Sequence, residues 1–438
     1  MRAGFAREKI TPPIGTHMLG FGNRDTEKGC EAIHDDLYVH ALFLEYGDEK
    51  AVILSYDLCF VSRDLADRFR GCVARTFDVR PRQILLNFSH THAGPCTANW
   101  GFSGHKQMID PLYLDDVGDA TVRAVKAASA SARAAKVWAG QTTTRLPLSR
   151  RKPDGKGGVE WRPYPEGTVC NTLPLSLFKD QAGKPICLLY SVSCHPSTIG
   201  GWHISADYPG VASELINQHL GFADGGAMFL QGCAGDTKPC VVGNGRDAVD
   251  VSWRGGTWED VSRAGQIVAD EVIAGMRDGL SETPAALRTW EIEMQWPLAT
   301  PPARAELEKY AGSNQPLLRR LWAQRMLRIL ERHGALDADA PILMQGIKIG
   351  EGLRIVGLEG EAVAGLGILI REFYSRGITF PLGYIHGTQL YLPTDAMIPE
   401  KGYEVDSYFE YGFPAPLVPG LEAILLRSLT ELKHHAID

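Results

Sequence analysis

Short apolar runs alternate along the chain with segments whose apolar residues recur at helical spacing. Residues 37–44 and 51–55 are β-rich, residues 63–75 have helical spacing, and Ile84-Leu-Leu-Asn-Phe reads as a strand again. Strand, helix, strand is the order of an α/β layer. The Ala- and Val-rich stretch 115–136 predicts a helix, after which Val137-Trp-Ala-Gly resumes strand character. Two apolar runs, 186–193 and 227–231, end at Cys194-His195 and at the turn Gly232-Cys-Ala-Gly-Asp-Thr-Lys-Pro. Such runs suit buried strands with functional loops at their carboxyl ends. Helices are predicted over 258–278, 302–334 and 362–374, and 346–358 alternates around Gly350-Glu-Gly as a hairpin does. Residues 150–165, polar and rich in Gly, Pro and charge, predict a long surface loop or lid. The arginines of 319–332 predict a solvated helix face. No internal repeat interrupts this order, and a division of the chain falls softly near residue 290.

Composition narrows the class. With 438 residues, 44% of them hydrophobic, the chain can bury a large core without disulfide staples. A net charge of −7 with both signs scattered argues against a nucleic-acid partner. The N-terminus lacks the apolar core of a secretory signal and no stretch has the length of a membrane span, so a cytoplasmic protein without membrane insertion is expected. The nine Cys residues form no CxxC pair and are odd in number, which makes reduced thiols the expectation. Cys194 beside His195 nevertheless poses a cysteine-hydrolase alternative. Gly232-Cys-Ala-Gly and Gly243-Asn-Gly lack both the P-loop Lys-Ser/Thr and the dinucleotide-binding spacing, so nucleotide binding is set aside.

The strongest chemical feature is Ser89-His90-Thr91-His92-Ala93-Gly94-Pro95, directly after the strand 84–88. In an extended segment residues two apart point the same way, so both imidazoles can address one point. Neutral imidazole is the commonest zinc ligand, but a catalytic zinc takes three or more protein ligands and keeps a position for water. The further ligand is sought among His34, His195, His203 and His386, and spacing alone does not choose between them. Asp57, Asp207 and Asp236, at strand ends or in tight turns, are candidates to hold ligand histidines by their second nitrogens; turn-stabilising Asx contacts account for them almost as well.

An ordered series of segments then resembles the neutral/alkaline non-lysosomal ceramidases, in their N-terminal catalytic domain and its shorter bacterial relatives. The series is Ile10-Thr-Pro-Pro-Ile-Gly, Ile33-His-Asp-Asp-Leu-Tyr, His90-Thr-His-Ala-Gly-Pro, Asp207-Tyr-Pro-Gly, Gln231-Gly-Cys-Ala-Gly-Asp, Gly360-Glu361, and Tyr391-Leu-Pro-Thr with Gly402-Tyr403-Glu404. It runs from about Gly4 to about Tyr411. The resemblance implies an α/β fold with a mixed sheet and one zinc ion per chain, held by His90, His195, Glu361 and the phenol of Tyr391. Residues 346–411 supply the C-terminal ligands. It implies that His92 handles the proton and that Tyr403 and Arg150 face the substrate carbonyl. One catalytic domain over residues 1–438 is expected, without the C-terminal immunoglobulin-like domain of the large ceramidases. The chain departs from the family pattern at Ser149-Arg150 (family Asn-Arg, here followed by Arg151), at Glu359 (often Pro) and at His386 (commonly Asn).

The chemistry follows from the residue types. Zinc lowers the pKa of water to about 7 and polarises a carbonyl. An imidazole near its ordinary pKa of about 6.5 can take a proton and return it to a leaving group. Hydrolysis of an N-acyl amide, on a substrate smaller or more polar than ceramide, is the expectation. The rivals are a zinc esterase or lactonase, and a non-catalytic binding protein on the same fold.

Overall fold

The computed structural model describes the chain except residues 23, 26, 99–108, 224, 244–251, 313 and 388–389. The Gly243-Asn-Gly stretch therefore lies largely outside the described residues. A nine-stranded mixed sheet runs in the order Ala227–Gln231, Pro185–Val192, Thr172–Asp180, Arg133–Thr143, Arg2–Lys9, Tyr38–Tyr46, Glu49–Tyr56 and Ile84–Phe88, with Ser281–Thr283 paired to Arg133–Thr143. The outermost pair at each end is parallel and the pairs between are antiparallel. The edge strands Ile84–Phe88 and Ala227–Gln231 are buried along their whole length, which is why they read as continuous apolar runs.

These two edges meet through one polar side chain. The Asn87 amide receives the backbone N–H of Gln231 at 2.7 Å and donates to the Gln231 carbonyl at 3.3 Å, taking the place of a ladder partner. That join brings the carboxyl ends of strands far apart in sequence to one place.

A second sheet, Arg288–Pro297, Asp339–Gly350, Leu353–Leu358 and Ile378–Leu382, packs face to face on the first. Leu42, Ile53, Leu85 and Leu230 meet Ile347, Ile355, Phe380 and Leu382 between the sheets. Each such buried side chain contributes roughly 1.5–3 kcal/mol. Helices Arg63–Phe77 and Pro111–Ser131 cover one half of the large sheet's other face, and Asp207–Leu220 and Trp258–Gly279 cover the rest. Ala364–Phe373 and Leu421–His434 cover the outer face of the second sheet, so the layers run helix, sheet, sheet, helix. Local signals agree with these elements. Ser62 caps Arg63–Phe77 by accepting from the Leu65 N–H, and Leu65, Phe69 and Val73 bury one stripe of that helix. Among the described residues no helix is long and apolar enough to cross a membrane.

Three expected elements differ. Residues 150–165 are not a loop but strands Pro147–Pro153 and Val159–Tyr164, antiparallel and extended by Thr237–Pro239. Their polarity reflects a hairpin with an exposed outer strand, and its turn is held by Asp154 accepting from the Lys156 and Gly158 N–H groups. The helix expected over 302–334 is two helices, Arg304–Tyr310 and Leu317–His333, because Pro316 begins a new one. The helix expected to reach residue 136 ends at Ser131, since Arg133 onward is needed for sheet pairing.

Candidate metal centre

His90, His195 and Glu361 come from three strand ends and converge, each fully buried. His90 follows Ile84–Phe88, His195 follows Pro185–Val192, and Glu361 follows Leu353–Leu358 across Gly360. Strand alternation is not what aims the histidines, contrary to expectation: His90 adopts a left-handed φ of 65°. Its N–H donates to the Leu58 carbonyl at 2.9 Å, and that of His92 to Pro196 at 2.9 Å, so the chain turns sharply within the motif. Gly360 has φ 124°, and a Cβ there would lie 2.6 Å from the Leu390 carbonyl oxygen. That turn separates the two glutamates. Glu359 points to Arg63, which donates to it at 2.9 Å, and only Glu361 faces the histidines.

His90, His195 and Glu361 present acceptor atoms to one another. His90 Nδ1 is hydrogen-bonded to the Cys59 carbonyl at 2.8 Å and His195 Nδ1 to the Ala234 carbonyl at 2.6 Å. A carbonyl can only accept, so each Nδ1 carries the proton and each Nε2 presents a lone pair. Both Nε2 atoms lie 3.3 Å from Glu361 Oε2. His195 Nε2 and Glu361 Oε2 are buried with no hydrogen-bond donor among the described residues. Buried lone pairs facing one another are costly unless a cation lies between them. A separation of 3.3 Å also matches the edge of a tetrahedron of ligands bound at about 2.0–2.1 Å. The donor set fits a metal ion.

His195 is pulled down to about 4 by burial and then by Arg150, so it is neutral. His92 sits with Nε2 3.2 Å from His90 Nε2, and burial followed by His90 and His195 keeps its pKa well below the ordinary histidine value. It groups only with His90 and Cys59, and the Cys59 thiol lies 4.0 Å from His90 Nδ1, the nitrogen already bonded to a carbonyl. That grouping has no common point for an ion. Gly20, at φ 112°, packs against His92, where a Cβ would lie 2.8 Å from the ring.

Tyr391 pairs with Glu361 in a short parallel bridge and is 4% exposed. Burial and then Glu361 raise its phenol well above the ordinary value. The Arg150 guanidinium lies 5.4 Å over the Tyr391 ring and 4.0 Å over Trp161, and its Nε donates to Glu404 at 2.7 Å. Arg151 donates to the other Glu404 oxygen at 2.6 Å and turns away to Glu400 at 3.1 Å. Arg150 is therefore the arginine that faces the site, with one buried terminal nitrogen unpartnered among the described residues. Tyr403 stands 5.5 Å from Tyr391, ring to ring, and its hydroxyl donates to Glu410 at 3.0 Å.

Two tyrosines escaped the sequence reading. Tyr411 donates to Glu361 Oε1 at 2.5 Å, fixing the carboxylate's orientation. Tyr384 places its ring 4.5 Å from that of His90, with φ 55° and a buried hydroxyl without partner among the described residues. Neither belongs to a motif, so only the folded backbone reveals them.

Several candidates play other parts. Backbone carbonyls, not aspartates, orient the ligand histidines. Asp57 accepts from the Tyr38 N–H, Asp207 from Thr198, Ile199 and Tyr208, and Asp236 from Ala364. His386 is hydrogen-bonded to Gln345 at 2.9 Å, and His34 and His203 stack on Trp258. The Cys194 thiol is buried and pushed well above its ordinary pKa by burial, the opposite of an activated nucleophile. All nine cysteines are free.

No protein-family model matches the sequence, and no curated protein matches it. Solved structures do. The neutral ceramidase from Pseudomonas aeruginosa superposes with a TM-score of 0.72 at 17% identity, over 98% of this chain and 73% of that one. A structure described as ceramidase complexed with C2 gives 0.71 at 16% identity, over 98% of this chain and 74% of that one. The fold is that of the neutral ceramidases, as the ordered motifs led one to expect.

Proposed function

We propose that this chain, on a neutral ceramidase fold, is a metal-dependent hydrolase that cleaves N-acyl amide bonds, with one zinc ion as its metal. The observation that carries the reading is the convergence of His90 Nε2, His195 Nε2 and Glu361 Oε2, the last two buried with no hydrogen-bond partner among the described residues. Those three residues and the Tyr391 phenol would hold the ion. When bound, zinc supplies Lewis acidity to a carbonyl and lowers the pKa of water to about 7.

The chain's own residues do the rest. His92, neutral, next to the cluster and with no carboxylate partner among the described residues, takes the proton of the attacking water and returns it to the leaving amine; positioned general bases contribute about 10²–10⁴-fold. Arg150, held rigidly by Glu404 and Trp161, directs a guanidinium N–H at the carbonyl oxygen as it gains charge. Tyr403 adds a hydroxyl from the rim. A well-placed donor of this kind is worth roughly 3 kcal/mol in the transition state. Tyr411 and the Cys59 and Ala234 carbonyls keep the ligand side chains in register. The reading includes a small-molecule substrate and a cytoplasmic location, which the free cysteines support.

The test compares wild type, His90→Ala and His92→Ala for metal content and for hydrolysis of matched N-acyl amides and esters. His90→Ala is expected to lose zinc, and His92→Ala to keep zinc while turnover falls. Unchanged zinc and turnover in both variants would end this reading, and turnover of esters alone would replace the amidase by an esterase.

A further inference from the structure

Beside His92 lies a cavity of about 270 Å³ lined by Phe21, Arg24, Ser197, Trp202, Lys238 and Arg254, among others. We infer that it receives an anionic group of the substrate, a carboxylate or a phosphate, on the amide whose hydrolysis is proposed above. The inference rests on that reading for the reaction, and on the cavity alone for the binding.

Its place is set by two contacts. Phe21 packs edge-on to His92 with ring centroids 4.9 Å apart, and Ser197 follows His195 by one turn whose N–H bonds the His195 carbonyl at 2.9 Å. A ligand group in the cavity thus sits next to the proton-transfer histidine. The volume falls below the roughly 300–1,000 Å³ of whole-ligand pockets, which suits one end of a substrate.

The charges are unbalanced. Arg254 is neutralised by two hydrogen bonds to Asp260, both of 2.6 Å. Arg24 is not: it donates to the Gly201 carbonyl at 3.2 and 3.0 Å and to the Leu19 carbonyl, and has no carboxylate partner among the described residues. Lys238 likewise has no ion pair among them; its ammonium lies 5.4 Å from the Trp253 ring. Asp207, the carboxylate that acts on Lys238 from a distance, is already engaged by backbone N–H groups. Burial and then Arg150 pull Lys238 down to about 8, and burial pulls Arg24 down to about 10. Two desolvated cations without counterions among the described residues bear a cost that a bound anion offsets. The Ser197 hydroxyl, 4% exposed and without a hydrogen-bond partner among the described residues, adds a neutral donor of the kind that completes a carboxylate or phosphate site.

The experiment uses the zinc-loaded full chain and two substrate pairs: N-hexanoylglycine with its glycinamide, and N-hexanoyl-phosphoethanolamine with N-hexanoylethanolamine. The anionic member of at least one pair is expected to show a kcat/KM at least about tenfold above its neutral partner. Which pair shows the larger ratio identifies carboxylate or phosphate. In Lys238→Met and Arg24→Gln the ratio is expected to fall toward one. Calorimetry with inorganic phosphate and with acetate gives a readout independent of turnover, with saturable binding to wild type weakened at least tenfold in Lys238→Met; circular dichroism checks that the variants are folded. Hydrolysis of the neutral substrates without anionic preference, together with absence of anion binding, overturns the inference and leaves the hydrolase reading standing. Lys238-dependent phosphate or acetate binding with no turnover of any substrate supports the site and overturns the hydrolase reading instead.

Discussion

Replacing Glu361 by Gln should reverse the sign of its effect on stability depending on whether metal is present. In wild type, Glu361 Oε1 accepts from Tyr411 at 2.5 Å while Oε2 faces the Nε2 atoms of His90 and His195 at 3.3 Å each. A glutamine fits this arrangement without metal. Its oxygen keeps the Tyr411 bond, and its amide donates to the His195 lone pair, which a carboxylate cannot satisfy and which has no partner among the described residues. A new bond is worth roughly 0.5–1.5 kcal/mol net, so metal-free Glu361→Gln is expected to be about 1 kcal/mol more stable than metal-free wild type at pH 8. With metal the order inverts. At a free zinc concentration of 100 Kd the wild type gains about 2.7 kcal/mol, whereas the variant, lacking its charged ligand, gains almost none. The assay is urea denaturation of both proteins with chelator and with buffered zinc, alongside metal content. Equal stabilisation of both proteins by zinc would refute the argument. So would destabilisation of the chelated variant by about 3 kcal/mol or more, because the cluster would then be satisfied without a cation.

Other consequences follow from groups around the site. Glu404 bridges Arg150 and Arg151 in a buried ion-pair triad, so Glu404→Ala leaves the buried Arg150 guanidinium uncompensated, while Arg151 keeps Glu400, and is expected to cost about 3–5 kcal/mol in denaturation, with loss of turnover. Burial raises Asp57 from 3.8 to about 7, so the native state keeps a proton that the unfolded chain releases. Its contribution is fully present below about pH 4 and is lost as pH climbs to 7. Asp57→Asn keeps the acceptor for the Tyr38 N–H and should flatten that fall, measured as unfolding midpoints from pH 5 to 8; an unaltered slope would exclude Asp57 as its source. Thiol alkylation under native conditions is expected to leave turnover intact while chelation abolishes it, since Cys194 is fully buried; the converse result would favour thiol chemistry.

Much of this protein was legible from its residues. Apolar runs such as 227–231 are strands because burial on both faces leaves no polar alternation to find, and the Ser62-capped stripe of 63–77 is a helix for equally local reasons. The ordered motifs pointed to the fold and named the residues that meet. Polarity misled at 150–165, where a hairpin with one exposed strand looks like a loop, and helical propensity overran at 132–136, where sheet pairing overrides it. Other features were beyond any one-dimensional reading. His90 is aimed by a left-handed turn rather than by strand alternation, its tautomer is set by the Cys59 carbonyl, and Tyr384 and Tyr411 arrive from segments with no motif. Residue types and their order determine which local structures form and which donor atoms exist. Only the tertiary structure, through joins such as Asn87 to Gln231, decides which lone pairs face one another, because that depends on distances between atoms hundreds of residues apart and on what is left to satisfy them once water is excluded.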